Sequence, residues 1–199
     1  MVHRHGARGS RDTEDRPDVV GSETVDTTIE LWEAVQAQRR ADDVYRVYQA
    51  VFDDRPDEPQ WREKHFDRHC ARSGFRLAAA HVDDRLVGVA WGYIGERGQY
   101  WPDRVVAALP TDVTDTWVGG HFEFVELAVL SDQRGRGFGR RLHDVLLDGV
   151  PAERALLSTN AHDSPAVRLY TSHGWRALGL LEPGVQVMGL ELPTTEPTS

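Results

Sequence analysis

A glycine-rich turn at residues 133–139, QRGRGFG, limits more sharply than any other segment how this chain can fold. The apolar segment before it, His121 to Leu130, is rich in β-branched and aromatic residues, and residues 140–147 after it carry apolar side chains at helical spacing. The chain therefore passes from a strand into a helix at three glycines. A helix start presents free backbone N–H groups and a positive dipole end, and glycine lets a ligand approach closely. The turn predicts a binding site for a pyrophosphate.

Residue spacing excludes two common phosphate-binding loops. A P-loop places Lys and then Ser or Thr after its last glycine, whereas two arginines follow Gly139 here. The dinucleotide-binding fingerprint, G-x-G-x-x-G/A, ends in glycine or alanine. When the motif is started at Gly135 its last position is Arg140, and when it is started at Gly137 its last position is Leu142. The spacing that fits is Arg134-x-x-Gly137-x-Gly139. A solvated basic turn without a ligand is the alternative interpretation of this segment.

A second motif lies downstream, at residues 163–170 (DSPAVRLY), four residues before Gly174. The two motifs together resemble the R/Q-x-x-G-x-G/A and N-x-x-A-x-x-L-Y signatures of the GCN5-related N-acetyltransferase (GNAT) family. Asp163 stands where the family usually has Asn, and Trp175 where it usually has Phe. Asn160, just upstream, is a candidate to supply the missing amide.

The resemblance spans roughly Thr27 to Leu192 and implies an α/β fold. The expected GNAT fold has a mixed central sheet of about six to seven strands with a splayed central pair, flanked by about four helices. The hydrophobic pattern predicts helices at 41–52, 60–72, 140–149 and 164–173, and strands at 24–35, 75–82, 86–94, 121–130, 153–159, 175–181 and 185–192. We predict a disordered tail at 1–23, one domain at 24–193 and a polar tail at 194–199. Residues 95–120 read as a long connection with a short helix at 103–109.

Composition limits the expected partners. The formal net charge is −9, which argues against a nucleic acid or an anionic membrane as partner. A single cysteine, Cys70, excludes an intrachain disulfide, and no apolar run approaches the length of a membrane span. The N-terminus also lacks the apolar core of a signal peptide, so we expect a cytoplasmic protein. The sequence predicts no metal site.

By resemblance, the ligand of the turn is acetyl-CoA, used as a co-substrate. The family binds the pantetheine arm through the backbone of the strand that precedes the turn, and Val129 is the best candidate for the N–H that meets the thioester oxygen. The expected cofactor-binding residues are Leu127, Ala128, Val129, Arg134, Gly135, Arg136, Gly137, Phe138, Gly139, Arg140, Asn160, Asp163 and Tyr170.

Three side chains are candidates for acid–base chemistry. Acetyl transfer needs one group that takes the proton of the amine and benefits from another that protonates the leaving thiolate. Glu123 and Glu126 lie in an apolar strand, where burial raises the pKa of a carboxyl group. Glu123 is preferred, because it lies eleven residues before Arg134, as the base does in some family members. The two glutamates should face opposite sides of the strand unless a bulge intervenes. Tyr170 is the candidate acid by resemblance, or else a ring that packs on the sheet.

The acceptor is expected to be a primary amine on a small molecule or peptide. Trp91, Tyr93, Trp101, Trp117 and His121 are the candidate pocket residues. His121 is also a further candidate base, or else an exposed histidine at a strand end. No nucleophile for a covalent intermediate stands out, so direct transfer in a ternary complex is predicted, and homodimers are common in the family. Two other functions stay open: an inactive acyl-CoA-binding regulatory or interaction module, and a nucleotide-binding protein.

Overall fold

A computed structural model describes residues 26–52 and 56–193 of the chain. The predicted tails at 1–23 and 194–199 lie outside these residues. No helix of the described ranges is long and apolar enough to cross a membrane.

The described residues form one mixed sheet of seven strands, which confirms the predicted architecture. The strand order is β1-β2-β3-β4-β5-β7-β6, and neighbouring strands are antiparallel except for the parallel pair β4 and β5. The strands are β1 Thr27–Glu33, β2 Arg76–Val82, β3 Arg85–Gly95, β4 His121–Val129, β5 Arg154–Asn160, β6 Arg176–Glu182 and β7 Val185–Glu191.

The central pair of strands is splayed, as predicted. Within the described chain, β4 pairs with β5 at two positions, Phe122 with Ala155 and Glu123 with Leu156. β4 continues to Val129 along β3, while β5 continues to Asn160 along β7. One edge of the second half of β4 is therefore open toward the gap between the two strands.

A β-bulge in β4 changes which residues share a face. Trp91 is opposite Glu126 and Tyr93 is opposite Glu123, so one extra residue, Val125, lies in β4 between the two glutamates. Residues two apart on β3 point to the same side, and so do the residues opposite them. Glu123 and Glu126 therefore face the same side of the sheet, because a bulge intervenes.

The helices of the described chain include the four predicted helical segments, one of which is divided by a π-helical turn, the short helix predicted at 103–109, and two more. They are α1 Ala34–Arg39, α2 Ala41–Val51, α3 Glu58–Trp61, α4 Asp67–Cys70, α5 Tyr100–Ala108, α6 Thr111–Trp117, α7 Phe138–Leu147 and α8 Pro165–Ser172, with a π-helical turn at Arg62–Phe66 between α3 and α4. Residues 95–120 thus hold two helices instead of a long connection with one short helix. They cover a small separate core that includes Val105, Trp117 and Leu156.

The helices divide between the two faces of the sheet. On the Glu123 face, Tyr48 of α2 packs 6.4 Å from the ring of Trp91, and His69 of α4 packs 5.1 Å from Tyr93. Trp101 of α5 lies 6.2 Å from His121 on this same face. On the other face, α7 and α8 pack on Phe124 through His143 and Tyr170, at 5.9 Å and 6.0 Å. Strand β4 is therefore covered on both sides.

Candidate functional site

A cleft of about 580 Å³ opens where α7 begins. It extends from the glycine turn past the start of α8 and along the second half of β4. Its lining consists of Val51, Leu127, Val129, Gln133, Arg134, Gly135, Gly137, Phe138, Gly139, Arg140, Asn160, Ser164, Pro165, Ala166 and Leu169. Nine of the residues expected to bind the cofactor are in this set, so the structure brings both sequence motifs to one cleft.

The turn has the backbone that its glycines predict. Gly135 and Gly137 have φ angles of +75° and +81°, in the left-handed region that other residues rarely adopt. A Cβ at either position would meet no described heavy atom within 4 Å, so both glycines face open space. Gly137 occupies the N-cap position of α7, and no side chain of the described residues caps this helix. The first N–H groups of α7 are therefore free to bind an anion.

The arginines of the turn differ in their contacts. Arg136 donates to Gln133 Oε1 at 2.5 Å and lies over the ring of Phe138, which directs it back onto the turn. Arg134 donates to the carbonyl of Val129 at 3.3 Å and still lines the cleft, as does Arg140. Arg134 and Arg140 thus provide positive charge at the cleft, while Arg136 supports the turn.

Besides Arg136, three of the expected cofactor residues do not line the cleft. Ala128 is fully buried opposite Val89, and Asp163 forms a salt bridge with Arg168 at 2.7 Å. Tyr170 is buried below the cleft, on the same helix as its lining residue Leu169.

Six lining residues were not expected. Ser164, Pro165 and Ala166 belong to the second motif, so the motif itself could have identified them. Ser164 caps α8 by accepting from the backbone N–H of Val167, which fixes the start of that helix beside the cleft. Val51, Gln133 and Leu169 come to the cleft through tertiary packing. We find no signal in the sequence for Val51, which belongs to α2.

Glu123 is the buried carboxyl group of the site. Its side chain is on the α2 and α5 side of β4, and the residue is 5 % exposed. Oε1 accepts a hydrogen bond of 2.8 Å from the hydroxyl of Tyr93, whereas Oε2 is buried without a partner among the described residues. Burial raises the pKa of Glu123 to about 7, against the opposing effects of Tyr93 and Arg72. Such a group exchanges protons readily near neutral pH.

Glu126 has a more open setting on the same face. Its side chain is 20 % exposed and lies 3.6 Å from Nε2 of His65, which belongs to the π-helical turn. Burial raises the pKa of Tyr48 to about 12, and the charge of Glu126 contributes to this increase as the second cause. The same two causes, in the same order, raise the pKa of Tyr170. Because these tyrosines lie on opposite faces of the sheet, Glu126 acts on both sides of the open edge of β4.

Tyr170 lies on the opposite face from Glu123. Its ring contacts Phe124 of β4 and Trp175, with centroid distances of 6.0 Å and 5.8 Å. Burial raises the pKa of Tyr170 above its usual value, and the charge of Glu126 raises it further. The hydroxyl therefore keeps its proton at neutral pH and can serve as a donor.

The five residues predicted for an acceptor pocket have different surroundings. Trp91 is fully buried and donates from Nε1 to Nδ1 of His69. Trp117, the last residue of α6, packs in the small separate core with Val105 and Leu156. Trp101 is partly buried and donates to the hydroxyl of Ser158 at 3.3 Å. Tyr93 and His121 are buried on the Glu123 face, and His121 is 1 % exposed. The alternative of an exposed histidine at a strand end is therefore wrong.

A cluster of two histidines and one aspartate joins α7 to the end of α8. One potential ligand atom from each of His143, Asp144 and His173 lies within 4.8 Å of the others. The indole N–H of Trp175 donates to Nε2 of His143, so the proton of His143 is on Nδ1 and points to Asp144, 3.0 Å away. His173 donates from Nδ1 to the carbonyl of Leu169. This arrangement leaves His143 without a free ligand atom, and the rings of His143 and His173 pack with their centroids 4.3 Å apart.

Comparison with known proteins identifies the family and the fold. Residues 40–175 match the family model described as the acetyltransferase (GNAT) family. A "GCN5-like protein acetyltransferase" of Mycobacterium tuberculosis is 38% identical to this chain over 98 residues. That match covers 45% of this chain and 48% of the relative, so it spans about half the length of either protein.

Solved acetyltransferase structures share the fold at low sequence identity. The ribosomal-protein-S18-alanine N-acetyltransferase from Escherichia coli has a TM-score of 0.57 at 14% identity, covering 87% of this chain and 98% of that one. An acetyltransferase from Thermus thermophilus has a TM-score of 0.60 at 14% identity, over 83% and 97%. Arabidopsis thaliana NAA60 in complex with a bisubstrate analogue has a TM-score of 0.54 at 16% identity, over 84% and 100%.

Proposed function

This chain belongs to the acetyltransferase (GNAT) family, and from that premise we propose that it transfers the acetyl group of acetyl-CoA directly to a primary amine of a small-molecule or peptide acceptor. The observation that carries the proposal is one cleft that joins the uncapped start of α7 to the open edge of β4. The first can bind a pyrophosphate, and the second offers backbone groups to an extended arm.

The residues of the cleft fit acetyl-CoA, which supplies the acetyl group as a thioester. The N–H groups at Phe138 to Arg140 would hold the pyrophosphate, because a helix start favours negative charge. Arg134 and Arg140 would add positive charge beside it. Leu127 and Val129 would hold the arm through their main chain, and Val129 N–H is the proposed donor to the thioester oxygen.

Glu123 is the proposed general base. A pKa of about 7 leaves a large fraction of the carboxyl group ionised at neutral pH, while the ionised form remains basic enough to take a proton from an ammonium. The hydrogen bond from Tyr93 fixes Oε1, so Oε2 is the oxygen left to receive the proton. Glu126, with Oε1 at 3.6 Å from Nε2 of His65, is the alternative base.

Tyr170 is the proposed general acid for the leaving thiolate. Its raised pKa keeps the hydroxyl protonated, and in α8 it directly follows Leu169, which lines the cleft. The base and the acid would therefore act from opposite faces of one strand.

A thiol-release assay with a panel of primary amines tests this proposal. We expect CoA to be released from acetyl-CoA with at least one amine, and the acetylated amine to appear in equal amount. Tight CoA binding with no turnover for any amine would instead support an acyl-CoA-binding module. Thermal stabilisation by ATP or NAD that exceeds stabilisation by CoA would reject both in favour of a nucleotide-binding protein.

A further inference from the structure

His121, the first residue of β4, lies next to the proposed base. It pairs with Gly95 of β3 and is two residues before Glu123, so both side chains point to the same face. Among the buried polar and charged residues of the described chain, His121 has the smallest exposed fraction, 1 %. A polar group in such a place needs a hydrogen-bond partner, because burying a donor without one destabilises the fold.

The tautomer of His121 follows from its one hydrogen bond. The backbone N–H of Gly119 donates to Nδ1 at 3.1 Å, so Nδ1 carries a lone pair and the proton is on Nε2. Burial lowers the pKa of His121 to about 4, and the charge of Arg154 lowers it further, so the ring is neutral at pH 7. His121 is therefore a fixed hydrogen-bond donor, which argues against its use as a base.

Nε2 of His121 and Oε2 of Glu123 both lie close to Gly95. A Cβ built on Gly95 would lie 2.5 Å from Nε2 of His121 and 3.1 Å from Oε2 of Glu123. Both atoms are buried, and neither has a hydrogen-bond partner among the described residues. An unused donor and an unused acceptor thus both border the position that a Cβ of residue 95 would occupy, without being in direct contact, and no side chain fills that position because residue 95 is glycine.

We propose that His121 is a positioning residue for Glu123, with its Nε2–H directed toward Oε2 of the ionised carboxylate across the space that Gly95 leaves open between them. The inference rests on the proposed role of Glu123 as the base. Tyr93 then holds Oε1 and His121 holds Oε2, so two donors fix the plane of the carboxylate. His121 keeps its own proton throughout, and the second lone pair of Oε2 receives the proton of the amine.

This contact has a consequence for the pH dependence. Hydrogen bonds to the ionised form of a carboxyl group lower its pKa, so His121 limits the increase that burial causes at Glu123. The other titratable or charged groups around the pair are Tyr93 on β3, Arg72 after α4 and Arg154 on β5. They stay in place when His121 is replaced, so a change in the pKa of Glu123 reports on His121 itself.

The test compares His121→Phe, which keeps a ring but removes the donor, with His121→Gln, which keeps an N–H at a similar reach. For His121→Phe we expect the acidic limb of the pH profile of kcat/KM to move up by about one pH unit. His121→Gln should keep the limb within about 0.3 units of the wild type. An unmoved limb in a folded His121→Phe protein would overturn the inference.

A second readout separates this inference from the proposed reaction. The 13C chemical shift of the Glu123 carboxyl group, assigned with Glu123→Gln, gives its pKa without any turnover. A higher pKa in His121→Phe, with no turnover in the wild type, would support the contact and reject the reaction. Turnover with an unchanged pKa would reject the contact alone. If His121→Phe does not fold, Gly95→Ala is the second variant. Its Cβ would lie 2.5 Å from Nε2 of His121, too close for the ring to keep its place beside Glu123, so the pKa of Glu123 should rise in this variant as well.

Discussion

On one side of β4, two glutamates lie among histidines, tyrosines and tryptophans, and on the other side Phe124 packs against α7 and α8. The first side contains Glu123 with its pKa raised to about 7, and Glu126 beside His65. The second side leads to the turn with positive φ angles and the uncapped start of α7. The proposed base and the proposed pyrophosphate site thus lie on different sides of one strand. Changes on the two sides should therefore have separable effects.

Glu123→Gln should produce the largest effect, on the first side alone. We expect kcat/KM to fall about 10³-fold, because general base catalysis typically contributes 10²–10⁴-fold, while CoA affinity stays unchanged. Glu126→Gln is the matched control, since it changes the same residue type on the same face. Steady-state kinetics with the best amine and calorimetric titration with CoA provide the two measurements. A larger loss in Glu126→Gln than in Glu123→Gln would assign the base to Glu126.

Gly137→Val should have the next largest effect, on the second side alone. A β-branched residue is strained at a φ of +81°, and its side chain would occupy the open space above the turn, so we expect CoA to bind at least about 100-fold more weakly. Gly149→Val is the control, because Gly149 has a φ of +64° and equally open surroundings at the other end of α7. Equal losses of CoA affinity in both variants would place the pyrophosphate elsewhere.

The raised pKa of Glu123 should also appear in the stability of the fold. In the folded protein this group keeps its proton up to about pH 7, whereas in the unfolded chain it loses it near pH 4.5. Between these values the folded state binds more protons, so stability falls as pH rises, by an amount on the order of 2 kcal/mol. Urea unfolding at pH 5 and pH 7.5, compared with Glu123→Gln, measures the difference. An identical pH dependence in the two proteins would mean that Glu123 ionises normally.

Tyr170→Phe should give the smallest effect of the four. We expect kcat to fall about tenfold, less than usual for acid catalysis, because a thiolate leaves readily without full protonation. Tyr48→Phe is its counterpart on the other face, where the pKa of the tyrosine is raised by the same two causes, burial and Glu126. Equal effects of the two substitutions on kcat would remove the distinction between the faces.

The fold was predictable because its signals are local. The glycine turn and the Ser164–Pro165 start of α8 each define a strand-to-helix passage within a few residues, and together they indicated the family. The strands followed from runs of apolar residues. The helix α6 was not predicted, and the helix predicted at 103–109 lacks the first three residues of α5, because residues 95–120 contain prolines and glycines that favour a loop. Packing of Trp117 and Val105 over Leu156 stabilises them in the folded protein.

The details of the site depend on information that is not local. Strand parity placed Glu123 and Glu126 on different faces in the absence of a bulge, and the bulge at Val125 is visible only in the register with β3. Asp163 occupies a motif position, yet its carboxylate turns to Arg168. His121 is the first residue of β4, where a side chain is often exposed, but Trp101 of α5 packs against it and the ring is buried. Each of these outcomes is decided by a partner outside the local sequence pattern.

The two residue pairs that join β4 to β5 have a mechanical consequence. They are the whole strand-to-strand connection, within the described residues, between a half-sheet of four strands and a half-sheet of three. A widening of the gap would change the spacing of β4 and β5 least where Phe122 and Glu123 pair with Ala155 and Leu156. The carboxyl group of Glu123, carried by one of these two pairs, would then keep its position relative to both half-sheets.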